Sequence, residues 1–296
     1  MFLIAFAVGC RGIKKNEIDS PADPGQAMVQ TGNYNITILL DLSDRISAEK
    51  NPGQAARDIA AVMAVVDVLK RSLATKGTID SRDKIRVVFY PNNYNPMVQD
   101  IASALNVDFE QLTPPQRRSK YEQLDSVYRS NLSSLYAMAS SAPIFNGSDI
   151  FSYFHHRITD DCISSDSSFI NVLVVFSDGY MYHKNSCYQS GNRYSYIVPE
   201  AKHIDMFRKD YNWKTRFEKE DYGFIAPEVD LSGLKILALE FAPWGVHTSD
   251  FDIMLGYWAK WFEEMNVEEG DYKIVKTDVP ALNKNVIEEF FRKVRE

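Results

Sequence analysis

The sequence has no surplus of positive charge: 33 Lys and Arg stand against 40 Asp and Glu over 296 residues, a formal charge of −7. A protein that tracks nucleic-acid phosphates rests on the opposite balance, so no nucleic-acid partner is expected. No apolar run approaches the roughly 20 residues of a membrane-spanning helix, which leaves a chain that is soluble or held to a membrane by its end alone. Cysteine is scarce, at three residues, and histidine numbers five. No Gly-x-Ser-x-Gly, phosphate loop, His-Glu-x-x-His or Cys-x-x-Cys is present, and no internal repeat or low-complexity tract. What the chain does have is 45% apolar and 12% aromatic side chains, enough to fill a sizeable core and to exclude general disorder.

Residues 1–9 are apolar and stop at Cys10, after which Arg11, Lys14 and Lys15 turn the chain basic. The run Ala7-Val8-Gly9-Cys10 resembles a bacterial lipobox, although a basic n-region is missing. That resemblance implies a partial lipoprotein signal over 1–10, a lipid on Cys10, and a folded part outside the cytoplasm at the cell envelope. The alternative is an ordinary buried first strand. Residues 11–33, polar and punctuated by Pro21, Pro24 and Gly25, read as a tether, with one domain following over 34–296. Cys162 and Cys187 are expected as free thiols, because the element order puts them near opposite edges of a sheet, and a bridge needs alpha carbons within about 7 Å.

Short apolar runs at 35–40, 85–90, 169–176 and 234–241 read as strands buried on both faces, with a last strand at 272–275. Between them lie helical stretches at 55–73, 114–140, 150–158, 251–265 and 286–294. In the first of these, Ile59, Val62, Met63, Val66 and Leu69 recur three or four apart; in the fourth, Trp258 and Trp261 belong to a core-facing stripe. The turn at 91–96 suggests a reversal into an antiparallel strand near 97–104. Residues 180–232 are tyrosine-rich and charged, too long for an ordinary connection, and read as an irregular insertion. Strands alternating with helices imply an α/β fold, an open and mostly parallel doubly wound sheet with helices on both faces. Right-handed crossovers then collect the loops that follow the strands on one edge.

Three of those loops carry short oxygen-bearing side chains: Asp41-Leu42-Ser43-Asp44-Arg45, Gly147-Ser148-Asp149 and Ser177-Asp178-Gly179. Carboxylates and hydroxyls on short stems suit a hard divalent cation. The order is similar to that of a von Willebrand factor A-type domain, whose metal-ion-dependent adhesion site reads Asp-x-Ser-x-Ser after the first strand, then a Thr loop, then an Asp after the fourth strand. The resemblance implies Asp41, Ser43, Ser148 and Asp178 as ligands of Mg²⁺, Mn²⁺ or Ca²⁺, with Ser148 in place of Thr. It departs at Arg45, which occupies the place of the second Ser. A guanidinium has five donors and no acceptor. Pointing inward it would replace the metal by bridging Asp41 and Asp178; pointing outward it would leave the site one ligand short. Asp44 and Asp149 add negative charge nearby.

The family's adhesive members take a carboxylate from a protein partner at an open position on the metal. The resemblance thus implies a protein-binding module, with the aromatic residues of 180–232 (Tyr180, Tyr182, Tyr188, Tyr194, Tyr196, Tyr211, Trp213, Phe217, Tyr222) either bordering the partner or packing that segment onto its own domain. Two readings compete. One is a metal-free structural subunit of an envelope or secretion assembly. The other is a phosphohydrolase-like enzyme with Asp41 as nucleophile, against which Ser43 stands where such a fold needs a second acid. Among the histidines, His155 and His156 are adjacent on a helix and point about 100° apart, while His183 is the one placed toward the loop-bearing edge. No catalytic residue is assigned.

Overall fold

Alternating side chains of the two central strands fill two separate cores, and this sets the layers of the molecule. A computed structural model describes residues 32–91, 96–141, 148–243, 247–276 and 280–295. The expected signal over 1–10, Cys10 and nearly all of the 11–33 tether therefore lie outside the described residues, as does Gly147. In chain order the elements are β1 (Asn33–Leu40), α1 (Gln54–Lys76), β2 (Lys84–Val88), α2 (Pro96–Ala104), β3 (Val107–Asp108) and α3 (Pro114–Ser141). Then come α4 (Ile150–His156), α5 (Ile158–Cys162), β4 (Phe169–Phe176), β5 (Gln189–Ser190), β6 (Arg193–Tyr194) and α6 (Lys202–Arg208). The chain closes with α7 (Trp213–Lys219), β7 (Gly223–Phe224), β8 (Leu234–Phe241), α8 (Asp250–Glu264), β9 (Tyr272–Lys276) and α9 (Pro280–Lys293).

The main sheet has six strands in the order β3-β2-β1-β4-β8-β9, parallel except for β3. On one face Ile36, Ile38 and Leu40 of β1 and Val172, Val174 and Phe176 of β4 pack with residues of α1, α3 and α9. On the other, Leu39, Leu173 and Val175 pack with α4, α8 and the 180–232 segment. Trp258 and Trp261 are fully buried there, as their spacing predicts. In β8 the alternation slips: Ala238 and Phe241 share a face across an irregularity in the ladder with β9, and Glu240 between them takes φ +68°.

Two expectations fail in detail. Residues 96–104 form α2, because Val98, Ile101 and the following Leu105 recur at helical spacing and are buried; the antiparallel strand is only β3, just beyond. Residues 180–232 are not irregular throughout. They hold α6, α7 and a second, three-stranded sheet β5-β6-β7. Cys162 is buried and Cys187 exposed, and neither is bridged.

Candidate functional site

Chain order reverses between β1 and β4. From β1 the chain steps outward to β2 and β3, then crosses back to place β4 on the other flank of β1. In an open α/β sheet the crevice beyond the carboxyl ends of such a strand pair is where ligands collect. β1 and β4 are in register over their full length, Leu40 opposite Phe176, and the Asp41 N–H donates to the Phe176 carbonyl at 2.9 Å. Asp41 and Asp178 therefore leave the sheet side by side.

Both carboxyl groups are buried, at 2% and 9% exposure. One Asp41 oxygen accepts the Ser43 N–H at 2.9 Å, and the other accepts the Ser177 hydroxyl at 3.1 Å. Asp178 accepts the Tyr180 N–H at 3.0 Å. Burial raises the Asp41 pKa against the opposing pull of the Arg45 charge. Burial and then the negative charge of Asp41 push Asp178 up to about 7, with Arg45 again opposing. Among the described residues no Lys or Arg forms an ion pair with either. The turn that follows Asp178 is tight: Gly179 takes φ +90°, and a Cβ there would fall 2.7 Å from the Phe241 ring. Trp258 donates its indole N–H to the Gly179 carbonyl at 2.8 Å, fixing that turn from α8.

Arg45 takes neither of the two positions anticipated for it. Its guanidinium points inward but engages Asp58 on α1 through both ends, at 2.8 and 3.2 Å, instead of bridging Asp41 and Asp178. Arg45 is 1% exposed and Asp58 fully buried. Asp58 also accepts the Tyr136 phenol at 2.7 Å and the Gln54 amide at 2.8 Å. Gln54 donates onward to Glu240 at 2.9 Å, and Arg57 and Asn283 donate to the same carboxylate. Burial lowers the Arg45 pKa, but Asp58, then Asp41, Tyr136 and Asp178, more than reverse this, so the cation is permanent. The charges of Asp58, Asp41 and Asp178 thus all act on one guanidinium; the Asp58 fork uses two of its five N–H donors, and the buried Nε–H has no partner among the described residues.

The remaining predicted residues divide. Ser43 lies at the start of a single 3₁₀ turn, Asp44–Ile46, next to Asp41. Asp44 faces solvent and pairs with Lys50, so it stands outside the pocket. The Asp149 N–H donates to the Tyr90 carbonyl at 2.8 Å, which puts the Ser148–Asp149 loop beyond the end of β2, one strand over from Asp41. Asp149 is committed locally. It caps α4 by accepting the Ser152 N–H at 3.0 Å and takes the Ser186 hydroxyl at 2.8 Å. His183 Nδ1 is 3.1 Å from its second oxygen, close enough for a charge contact but off-line for a hydrogen bond. Ser148 is buried, and its hydroxyl has no partner among the described residues.

Asp58, Tyr136, Gln54 and Glu240 escaped the reading of the sequence. A signal for Asp58 exists: it shares one helix face with Val62, Val65 and Leu69, and a carboxylate on that apolar face calls for a buried cation. Glu240 had none, because its left-handed backbone and the slipped ladder around it come from tertiary packing.

Beside Asp41 and Asp178 stand the hydroxyls of Ser43 and Ser177, oxygen donors that suit a hard ion, while Ser148 lies in the loop beyond the neighbouring strand β2. Position 45 supplies no oxygen. Among the described residues no three His, Cys, Asp or Glu side chains converge, so serine hydroxyls and water would have to complete the shell. No helix among the described residues is long and apolar enough to cross a membrane. Comparison with protein-family models, with curated proteins and with solved structures finds no match.

Proposed function

We propose that this chain is a von Willebrand factor A-like binding module, with 180–232 as an insertion, carried outside the cytoplasm by a lipid on Cys10. It engages a protein partner at the carboxyl edge of its sheet through a divalent cation held by Asp41, Ser43, Ser148 and Asp178. The observation that carries the reading is the pair of buried carboxyl groups, Asp41 and Asp178, at the β1–β4 switch point, both held above the ordinary carboxylate range. Two such groups whose charges act on one another are costly unless a proton or a cation offsets them. The cation would leave a position open to a carboxylate of the partner. The test is thermal unfolding with Mg²⁺, Mn²⁺ or Ca²⁺ at millimolar concentration. A rise in midpoint reversed by chelator supports the reading, since a ion that binds only the folded state stabilises it; no rise with any of the three contradicts it.

A metal-free structural subunit of an envelope assembly is the second reading. It is favoured by the closed Arg45–Asp58 fork and by Tyr182 and Tyr188, which stay more than half exposed in the segment that packs against α8. Under that reading, partner capture survives Asp41→Asn and is lost when Tyr182 and Tyr188 are both replaced by Ser.

A further inference from the structure

Within β8, Glu240 takes a left-handed backbone, φ +68°, a conformation that is costly for a residue with a Cβ. Asp221 and Asn266 share it, but they follow α7 and α8, where a left-handed residue commonly ends a helix. Glu240 stands inside a strand and needs another cause. Its carboxylate is 1% exposed and is held from two helices: Gln54 and Arg57 of α1 donate at 2.9 and 3.2 Å, and Asn283 of α9 donates to the other oxygen. The left-handed step sits between the two contacts by which β8 grips the end of β4. The Ser177 N–H donates to the Leu239 carbonyl at 3.2 Å, and the Ala242 N–H donates to the Asp178 carbonyl at 2.9 Å. The regular register of the two strands ends with Phe176 opposite Leu239, so beyond that point the Asp178 backbone depends on where β8 turns. Gln54 is shared. The same amide donates to Asp58 at 2.8 Å, and Asp58 holds Arg45 in the turn that follows Asp41 and Ser43.

We propose that Glu240 is a positioning residue for Asp178. It holds β8 in the step that delivers the Ala242 N–H to the Asp178 carbonyl, and Gln54 registers that step against the Asp41–Arg45 loop. The two carboxyl groups are thereby set in place before a cation arrives. The proposal rests on the reading of Asp41 and Asp178 as cation ligands. A site with few protein oxygens gains most from ligands already in position, because their ordering is not charged against binding, and groups behind the ligands commonly tune metal affinity by this route.

The test compares two replacements in the full chain. Glu240→Gly leaves the left-handed step without steric cost and removes only what the side chain holds. Glu240→Gln keeps the shape, and its amide can donate to Asn283 Oδ1, a buried atom with no partner among the described residues. The first readout is hydrogen exchange of the Ala242 amide in chelator, which needs no cation. It should be at least tenfold faster in Glu240→Gly, relative to the Val174 amide at the centre of β4, and close to wild type in Glu240→Gln. The second is Mn²⁺ binding at pH 7.5 followed by electron paramagnetic resonance, with affinity at least tenfold weaker in Glu240→Gly and largely restored in Glu240→Gln. If Glu240→Gly does not fold, Gln54→Leu, which leaves Arg57 and Asn283 on Glu240, should move both readouts the same way. Unchanged Ala242 exchange, or unchanged Mn²⁺ affinity where the wild type binds the ion, would overturn the proposal. A wild type without a saturable Mn²⁺ site would instead sink the cation reading, and the exchange readout alone would then decide whether Glu240 places Asp178.

Discussion

Replacing Asp58 by Asn leaves the Arg45 cation in the protein interior with its fork unmatched. The side chains of the pair are 2% and 0% exposed, so water cannot take over the lost contacts. Removing one partner of a buried pair of this kind costs about 3–5 kcal/mol, because the surviving charge remains desolvated. The Gln54 amide, which donates to Asp58, would also face a group that is now half donor. Against a typical total of about 5–15 kcal/mol the loss is large, and at roughly 2–4 °C per kcal/mol it lowers the unfolding midpoint by about 10 °C. Urea unfolding followed by the fluorescence of the buried Trp258 and Trp261 reads it directly. The double replacement Arg45→Met with Asp58→Leu should recover only part of the loss: apolar residues of similar volume commonly substitute for a buried pair, but the Tyr136 hydroxyl and the Gln54 amide lose their acceptor. A loss below about 1 kcal/mol in Asp58→Asn would refute the reasoning. It would mean that Arg45 is satisfied by Asp41 and Asp178, the bridging arrangement that leaves no place for a cation.

Three other predictions bear on the same edge. Asp178 keeps its proton to about pH 7 in the folded chain but releases it near 3.8 when unfolded, so the folded state binds more protons between those values. Its contribution to stability is therefore complete near pH 4, falls as pH rises, and levels off above 7, by on the order of 4 kcal/mol; denaturation profiles of wild type and Asp178→Asn should diverge with that slope and sign. Cation affinity should run the other way, weakening about tenfold per pH unit below 7 where binding must expel one proton, as calorimetry across buffers would show. Gly179→Ala combines φ +90° with a Cβ pressed against Phe241 and Met254, and should cost more than about 2 kcal/mol in urea unfolding.

Much of the fold is legible because its central strands are continuous apolar runs. Residues 169–176 and 234–241 are strands over their whole predicted length, since a strand buried on both faces needs no alternation to reveal it. Residues 97–104 misled because a turn before a short apolar pattern fits a hairpin as well as a helix, and the actual pairing, β3, has only two residues. The elements of 180–232 run two to seven residues, too short for any periodicity to register. The meeting of Asp41 and Asp178 follows from strand order, which the alternation of elements implies. The position of Arg45 does not, because it depends on Asp58, Tyr136 and Gln54 converging from two helices, and a loop motif carries no record of them.

The central claim, that Asp41 and Asp178 form a cation site at the β1–β4 switch point, is tested most directly by titrating the protein with Mn²⁺ and following the free ion by electron paramagnetic resonance at pH 7.5. The account predicts one saturable site in the wild type, lost in both Asp41→Asn and Asp178→Asn and retained in Asp44→Asn, whose side chain faces solvent. Absence of a saturable site, or a site that survives both substitutions, would contradict it.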